Sequence, residues 1–268
     1  MKRQTSKVKR LQEPFKILIS ETFPRQRVKI NWDASERVLP LDLQTKIDDF
    51  WSTELIHKPH LFNGDLCRLN HWQKKDDYLI LDLGRTNYKE QWYSNAFCRE
   101  IKEQFGNDSP ARALGVSAVL VSSDQQIILL KRSAEVGEDP DKFDVWGGHI
   151  HPDEHAINGK PDPFCAIATE ILEEANLTLS EDEPLTCIGL IETTTTFKPE
   201  MIFRVQIQLR AAEVFKLAKA YRSSEWSALM SITNRPESLR QFLQEYGEQT
   251  SASAYGALWL HGNLNIHL

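Results

Sequence analysis

Residues 147–177 read GGHIHPDEHAINGKPDPFCAIATEILEEANL. This stretch moves from a glycine pair through a polar, proline-broken segment into an apolar-periodic run. Asp162-Pro163 is a helix start, with aspartate as cap and proline in the first turn, and the spacing predicts a helix over about 163–176. On that helix Glu170, Glu173 and Glu174 stand at i, i+3 and i+4 and share one face. Phe164, Ala168, Ile171 and Ala175 occupy the adjoining arc, which is expected to be buried. Carboxylates gathered in this way repel one another unless a cation neutralises them. A hard divalent ion such as Mg²⁺ does so, taking carboxylate oxygens and keeping room for water and phosphate. The glycine pair supports this reading, because a glycine turn lets backbone oxygen approach a metal closely, and Glu154 supplies a fourth acid nearby.

Outward from this stretch, GVSAVLVSS (115–123) and QIILLKR (126–132) are apolar runs separated by Asp124-Gln125, a hairpin signal. KFDVWGGH leads into the glycines as a short strand. TCIGLIE (186–192) and MIFRVQIQL (201–209) read as strands, with helices near 225–230 and 236–246. Before it, PFKILIS and RVKINW read as strands around a turn at Pro24. Residues 41–56 and 95–105 read as helices, and YLILDLG (78–84) as a strand ended by Gly84. FGNDSPARALG is the best boundary. The fold class is therefore α/β: a mixed sheet with helices on its faces over 111–268, preceded by a smaller α+β region over 1–110 packed on it.

Composition limits the function. The 268 residues carry 32 Lys and Arg against 38 Asp and Glu, a net charge of −6, which argues against a nucleic-acid binder. No stretch approaches the roughly 18 apolar residues of a membrane span. The basic start MKRQTSKVKR is followed by no apolar region and reads as a solvated terminus. Cys67, Cys98, Cys165 and Cys187 form no C-x-x-C pair; they read as reduced thiols, in keeping with a cytoplasmic protein.

The decisive stretch resembles the signature of the Nudix hydrolases, G-x5-E-x7-R-E-U-x-E-E-x-G-U with U aliphatic. Gly148 and Glu154 match its first half and Glu170 to Leu177 its second. Residues 155–168 stand where the family has seven, Thr169 replaces the arginine, and Asn176 replaces the last glycine. These departures resemble the divergent uridine diphosphate glucose pyrophosphatases, as do LFNGDLCRL (61–69), LDLGRTNYKEQW (81–92), LLKRSAEVGEDPDKFDVWGGH (129–149) and the last helix, SASAYGALWL (251–260). The resemblance implies an α/β/α Nudix sandwich and Mg²⁺-dependent hydrolysis, with Mn²⁺ able to substitute. The implied substrate is a UDP-sugar, UDP-glucose or UDP-galactose, cleaved to UMP and a sugar 1-phosphate. It makes Glu173 and Glu174 the main metal ligands, Glu170 a ligand or base, and the Gly147 carbonyl part of the metal sphere, while Glu154 supports the loop.

Other roles are read from the residues. Arg85, Thr86, Asn87 and Tyr88 form an expected polar loop with donors and a ring suited to a uridine nucleotide. Arg132 either grips a phosphate or stands in for the missing arginine. Thr193 to Thr196, Glu200, His149 and His151 are further candidates to face the substrate. Trp146 is expected to pack, and Trp51, Trp92 and Phe62 to lie in the core. The segment 155–161 is expected to leave the site as a loop and return at the Asp162 cap. Alternatives are a Nudix hydrolase of another nucleoside diphosphate derivative, such as ADP-ribose, and a non-catalytic nucleotide-sugar sensor.

Overall fold

The computed structural model describes residues 13–264 apart from Glu181 and Arg222; the basic start lies outside the described residues. In chain order the elements are β1 (Phe15–Ile19), β2 (Val28–Trp32), α1 (Leu41–His57), β3 (Asp65–Lys75), β4 (Tyr78–Asn87), α2 (Tyr88–Phe105), β5 (Gly115–Val121), β6 (Gln126–Arg132), β7 (Phe143–Asp144) and β8 (Trp146–His149). Then follow β9 (Ala156–Ile157), β10 (Lys160–Pro161), α3 (Pro163–Ala175), β11 (Leu185–Thr193), β12 (Pro199–Gln206), α4 (Ala211–Tyr221), β13 (Trp226–Thr233), α5 (Pro236–Tyr246) and α6 (Ala252–Leu264).

The main sheet runs β1-β11-β12-β5-β6-β13. It is mixed: β12 and β5 are parallel, and the other pairs along this order are antiparallel. Strand alternation divides its side chains between two cores. Val116, Ala118 and Leu120 of β5, with Ile128 and Leu130 of β6, join Ile167 and Ile171 of α3 and Val214 of α4 on one face. Val119, Val121, Ile127 and Leu129 turn the other way, onto Leu239 and Phe242 of α5 and Ala257 and Leu258 of α6. This is the expected α/β/α sandwich. A three-stranded sheet, β2-β4-β3, adds Leu69, Leu79, Leu81 and Leu83 to the first core, and α1 packs on α2 through Leu43, Ile47 and Ile101. Residues before 111 are thus not one separate body, because β1 is the edge strand of the main sheet beside β11.

Several local expectations need correction. The segment near 225–230 is no helix: Trp226–Thr233 is a strand paired along β6. Trp226, Leu229 and Met230 have helical spacing, but so short an apolar run suits either state. The helix lies earlier, at Ala211–Tyr221, where Ala211, Val214 and Ala218 form its buried stripe. Gly84 does not end β4, which stays paired with β3 through Asn87, and α2 begins at Tyr88 instead of Asn95. Phe62 is exposed (78%), whereas Trp51 and Trp92 are buried.

Candidate functional site

Strand β5 positions the site by pairing with two partners in turn. Its C-terminal Leu120 and Val121 pair with β6, while Gly115 to Ala118 pair with β8. The fork holds Gly147-Gly148 against the sheet, facing α3. Only glycine fits at 147, where a Cβ would stand 2.1 Å from the Val116 carbonyl oxygen; a Cβ on Gly148 would stand 2.0 Å from Glu170 Oε1 and displace that carboxylate. Helix α3 begins as its cap predicts, with the Asp162 carboxylate accepting from the Phe164 and Cys165 amides at 2.8 and 2.9 Å. It ends at Asn176, left-handed at φ 52°, in the place where the signature has glycine.

From this helix Glu170 and Glu174 reach the glycine turn. Glu174 is buried, and its Oε2 accepts from the Gly147 amide at 3.2 Å. Glu173 is more exposed but lines the same cleft of about 490 Å³. Burial, then the charges of Glu225 and Glu173, pushes Glu170 up to about 8. Burial, then Glu170 and Glu225, raises Glu174 well above the ordinary carboxylate range. Both acids are therefore short of positive charge, and the turn leaves no space for side-chain atoms between them and the backbone. No three His, Cys, Asp or Glu side chains among the described residues are already gathered as a metal cluster. A pair of carboxylates nonetheless fits Mg²⁺, which takes one or two of them and completes its shell with water and substrate phosphate.

The same cleft carries a second acidic group with a different balance. Lys198 Nζ lies 3.1 Å from Glu138 Oε2 and 3.1 Å from Glu200 Oε1. Asn95 donates to Glu138 at 2.7 Å, and Ser253 and Ser117 donate to Glu200 at 3.0 and 3.3 Å. Burial opposes the charge on Glu138, but Lys198, His149 and the hydrogen bonds from Lys198 and Asn95 together outweigh it and hold this acid down at about 2. His149 lies beside this network; burial and then the Lys198 charge lower it to about 3, and its buried Nε2 has no partner.

No family model matches the chain. The MutT protein from Methanosarcina mazei Go1 is similar over 57% of this chain and 94% of its own, at 20% identity and a TM-score of 0.40. The uridine diphosphate glucose pyrophosphatase of Mus musculus is 28% identical over 243 residues, 80% of this chain and 78% of the relative. Nudix hydrolase 9 of Arabidopsis thaliana is 25% identical over 236 residues, 74% of each. The chain is similar to Nudix hydrolases over most of its length.

The structure sorts the candidate residues. Gly147, Glu170, Glu173 and Arg132 all line the cleft, and Glu174 abuts it through its bond to the Gly147 amide. Arg132 is held by Asp144 at 3.0 Å and by the Glu138 carbonyl at 2.9 Å. Arg85, Thr86 and Asn87 are not a loop but the end of β4, and none of the three lines the cleft. Arg85 donates to the Ala34 carbonyl and lies over the Trp32 ring; Thr86 and Asn87 bind Glu90, and Asn87 caps α2. Tyr88, one residue on, does line the cleft. Trp146 packs, fully buried, with Nε1 donating to the Ile128 carbonyl. Glu200 and His151 line the cleft, whereas Thr193, Thr195 and Thr196 line a neighbouring chamber.

The inserted segment is ordered by its own turn. Asn158 and Gly159 both have positive φ, 53° and 74°, and close a two-residue hairpin between β9 and β10. Its tip, including Lys160, is exposed and away from the cleft lining. Sequence reading missed Glu138, Asp144, Lys198 and Glu225. Glu225 lines the cleft, its carbonyl tied to the Ser133 amide at 2.8 Å, while its neighbour Trp226 donates to the Glu174 carbonyl at 3.0 Å. None of the four belongs to a local pattern; each reaches the site through sheet pairing or a connecting loop.

Proposed function

We propose that this chain is a Nudix hydrolase that cleaves the diphosphate of a UDP-sugar, UDP-glucose or UDP-galactose, to UMP and a sugar 1-phosphate with Mg²⁺, for which Mn²⁺ can substitute. One observation carries the reading: Glu170 and Glu174 are pressed against the Gly147-Gly148 turn and have no salt bridge among the described residues, the nearby Arg132 being paired with Asp144 instead. Glu170 and Glu174, with Glu173 at the rim and the Gly147 carbonyl, would hold the ion. When bound, Mg²⁺ supplies offset of the phosphate charge and activation of water. Arg132, which lines the same cleft, orients a phosphate oxygen or the acids around Asp144. The substrate class is supported by the name of the mouse relative, which matches over most of both chains.

The region before residue 111 belongs to the active unit in this proposal, since Tyr88 lines the cleft and Asn95 braces Glu138. The protein acts on a small molecule, with no role for nucleic acid or membrane; no helix among the described residues is long and apolar enough to cross a membrane. The four free cysteines support a cytoplasmic setting. The test is a panel of nucleoside diphosphate sugars and ADP-ribose, assayed with Mg²⁺ and with chelator, products identified. Release of UMP and sugar 1-phosphate only with metal is expected. Preference for ADP-ribose would move the substrate class, and tight binding without turnover would make the protein a sensor.

A further inference from the structure

Beside the metal cleft lies a larger chamber of about 810 Å³. The two cavities share Gly137, Glu138, Asp139, Lys198 and Ser253 in their walls, so they meet at the Lys198 network. A diphosphate held at Glu170 and Glu174 therefore has one of its ends beside this threshold. The chamber lies between α1 and α2 on one side and α5 and α6 on the other, and Phe50, Trp92 and Tyr255 contribute aromatic surface. Its acids are Glu13, Glu54, Glu138, Asp139, Glu245 and Glu248, against the lysines Lys142 and Lys198.

Glu138, Asp139 and Glu54 are paired with Lys198, Lys142 and Lys58, which leaves Glu13, Glu245 and Glu248 without a salt bridge among the described residues to set what can enter. A phosphate group is repelled. A neutral ring bearing many hydroxyls is favoured, because each hydroxyl donates to a carboxylate and the ring's C–H face lies against aromatic surface. A uracil base offers one N–H donor and two carbonyl acceptors, a poor match for a wall so rich in acceptors. Resting on the UDP-sugar reading above, we propose that this chamber binds the glycosyl end of the substrate. The sugar passes the Lys198 threshold, its phosphate stays on the cleft side, and the nucleoside lies elsewhere along the cleft. Discrimination among sugars is then made by residues outside the Nudix signature.

The test uses Ala96→Trp and Thr195→Trp, two exposed wall positions where bulk is added without disturbing the core. Calorimetry with Mg²⁺ measures the binding of glucose 1-phosphate and of UMP to the wild type and to each variant, after melting curves confirm folding. Glucose 1-phosphate is expected to weaken by about tenfold or more in at least one variant while UMP stays within about twofold. Weakening of UMP alone would give the chamber to the nucleoside and overturn the proposal, as would two folded variants that bind both products as the wild type does. Wild-type protein that binds neither product would instead remove the UDP-sugar reading, and this proposal with it.

Discussion

Two groups of carboxylates meet at one cleft. Glu138 and Glu200 hold Lys198 between them at 3.1 Å each, and hydroxyl and amide donors complete their shells. Glu170 and Glu174 have backbone amides and one another, and their neighbour Glu225 adds charge of the same sign. The first group carries its counter-ion in the chain; the second, in the proposed function, takes one from solution. A buried ion network with an internal lysine is fixed architecture, whereas a buried acidic pair without one is a binding site. Acidic residues in a cleft thus divide by what neutralises them.

The largest effect should come from breaking the internal network. Lys198→Met leaves Glu138 and Glu200 uncompensated and should cost about 3–5 kcal/mol of folding stability in denaturant titration, with no rescue by Mg²⁺. A loss below about 1 kcal/mol would mean that these acids do not depend on the lysine. Next is Glu174→Gln, which should keep the fold and lower turnover about a hundredfold or more. Its metal-free melting temperature should stay level or rise, because a repelled charge is removed. Near-normal turnover with an unchanged metal requirement would make Glu174 part of an ordinary solvated helix face.

A smaller effect is the pH dependence of the metal-free protein. Glu170 titrates at about 8 when folded and at 4.5 ordinarily, so between these values the folded state holds a proton that the unfolded state has lost. Stability must therefore fall as pH rises through this range. His149, whose folded value is depressed, contributes no slope well above its ordinary 6.5. Melting curves between pH 7 and 8 should show the decline, and Glu170→Gln should reduce it, with Glu174 supplying the remainder. A flat wild-type profile would contradict the raised value. The smallest effect belongs to the inserted hairpin. Replacing 156–161 with a short Gly/Ser link should leave turnover within about twofold, since changing a loop's length alters its closure by only about 0.6 kcal/mol per doubling. A loss like that of Glu174→Gln in a folded variant would place the hairpin in the active site.

The same contrast separates what the sequence made legible from what it did not. The acids of α3 are local: an Asp-Pro start, an apolar stripe and i, i+3, i+4 spacing are enough to put them on one face. The β5–β6 hairpin is local in the same sense. Glu138 and Lys198 stand 60 positions apart and meet only because strand β12 lies beside β5 and the loop after β6 folds over both. No periodicity encodes such a meeting. Arg85 to Asn87 misled for a related reason. Polar residues after a glycine resemble a loop, yet the chain stays paired with β3, and those side chains are used by Ala34, Glu90 and the start of α2. Trp226 to Thr233 is an edge strand whose half-exposed pattern gives little periodicity of either kind.

The central claim is that Glu170 and Glu174 await a cation from solution. Mg²⁺ titration of melting temperature at pH 8, on the wild type and on the Glu170→Gln/Glu174→Gln double variant, tests it most directly. Mg²⁺ should raise the wild-type melting temperature, and the double variant should melt higher than the wild type without metal and show no response to it. A double variant with the wild type's full Mg²⁺ response would contradict the account.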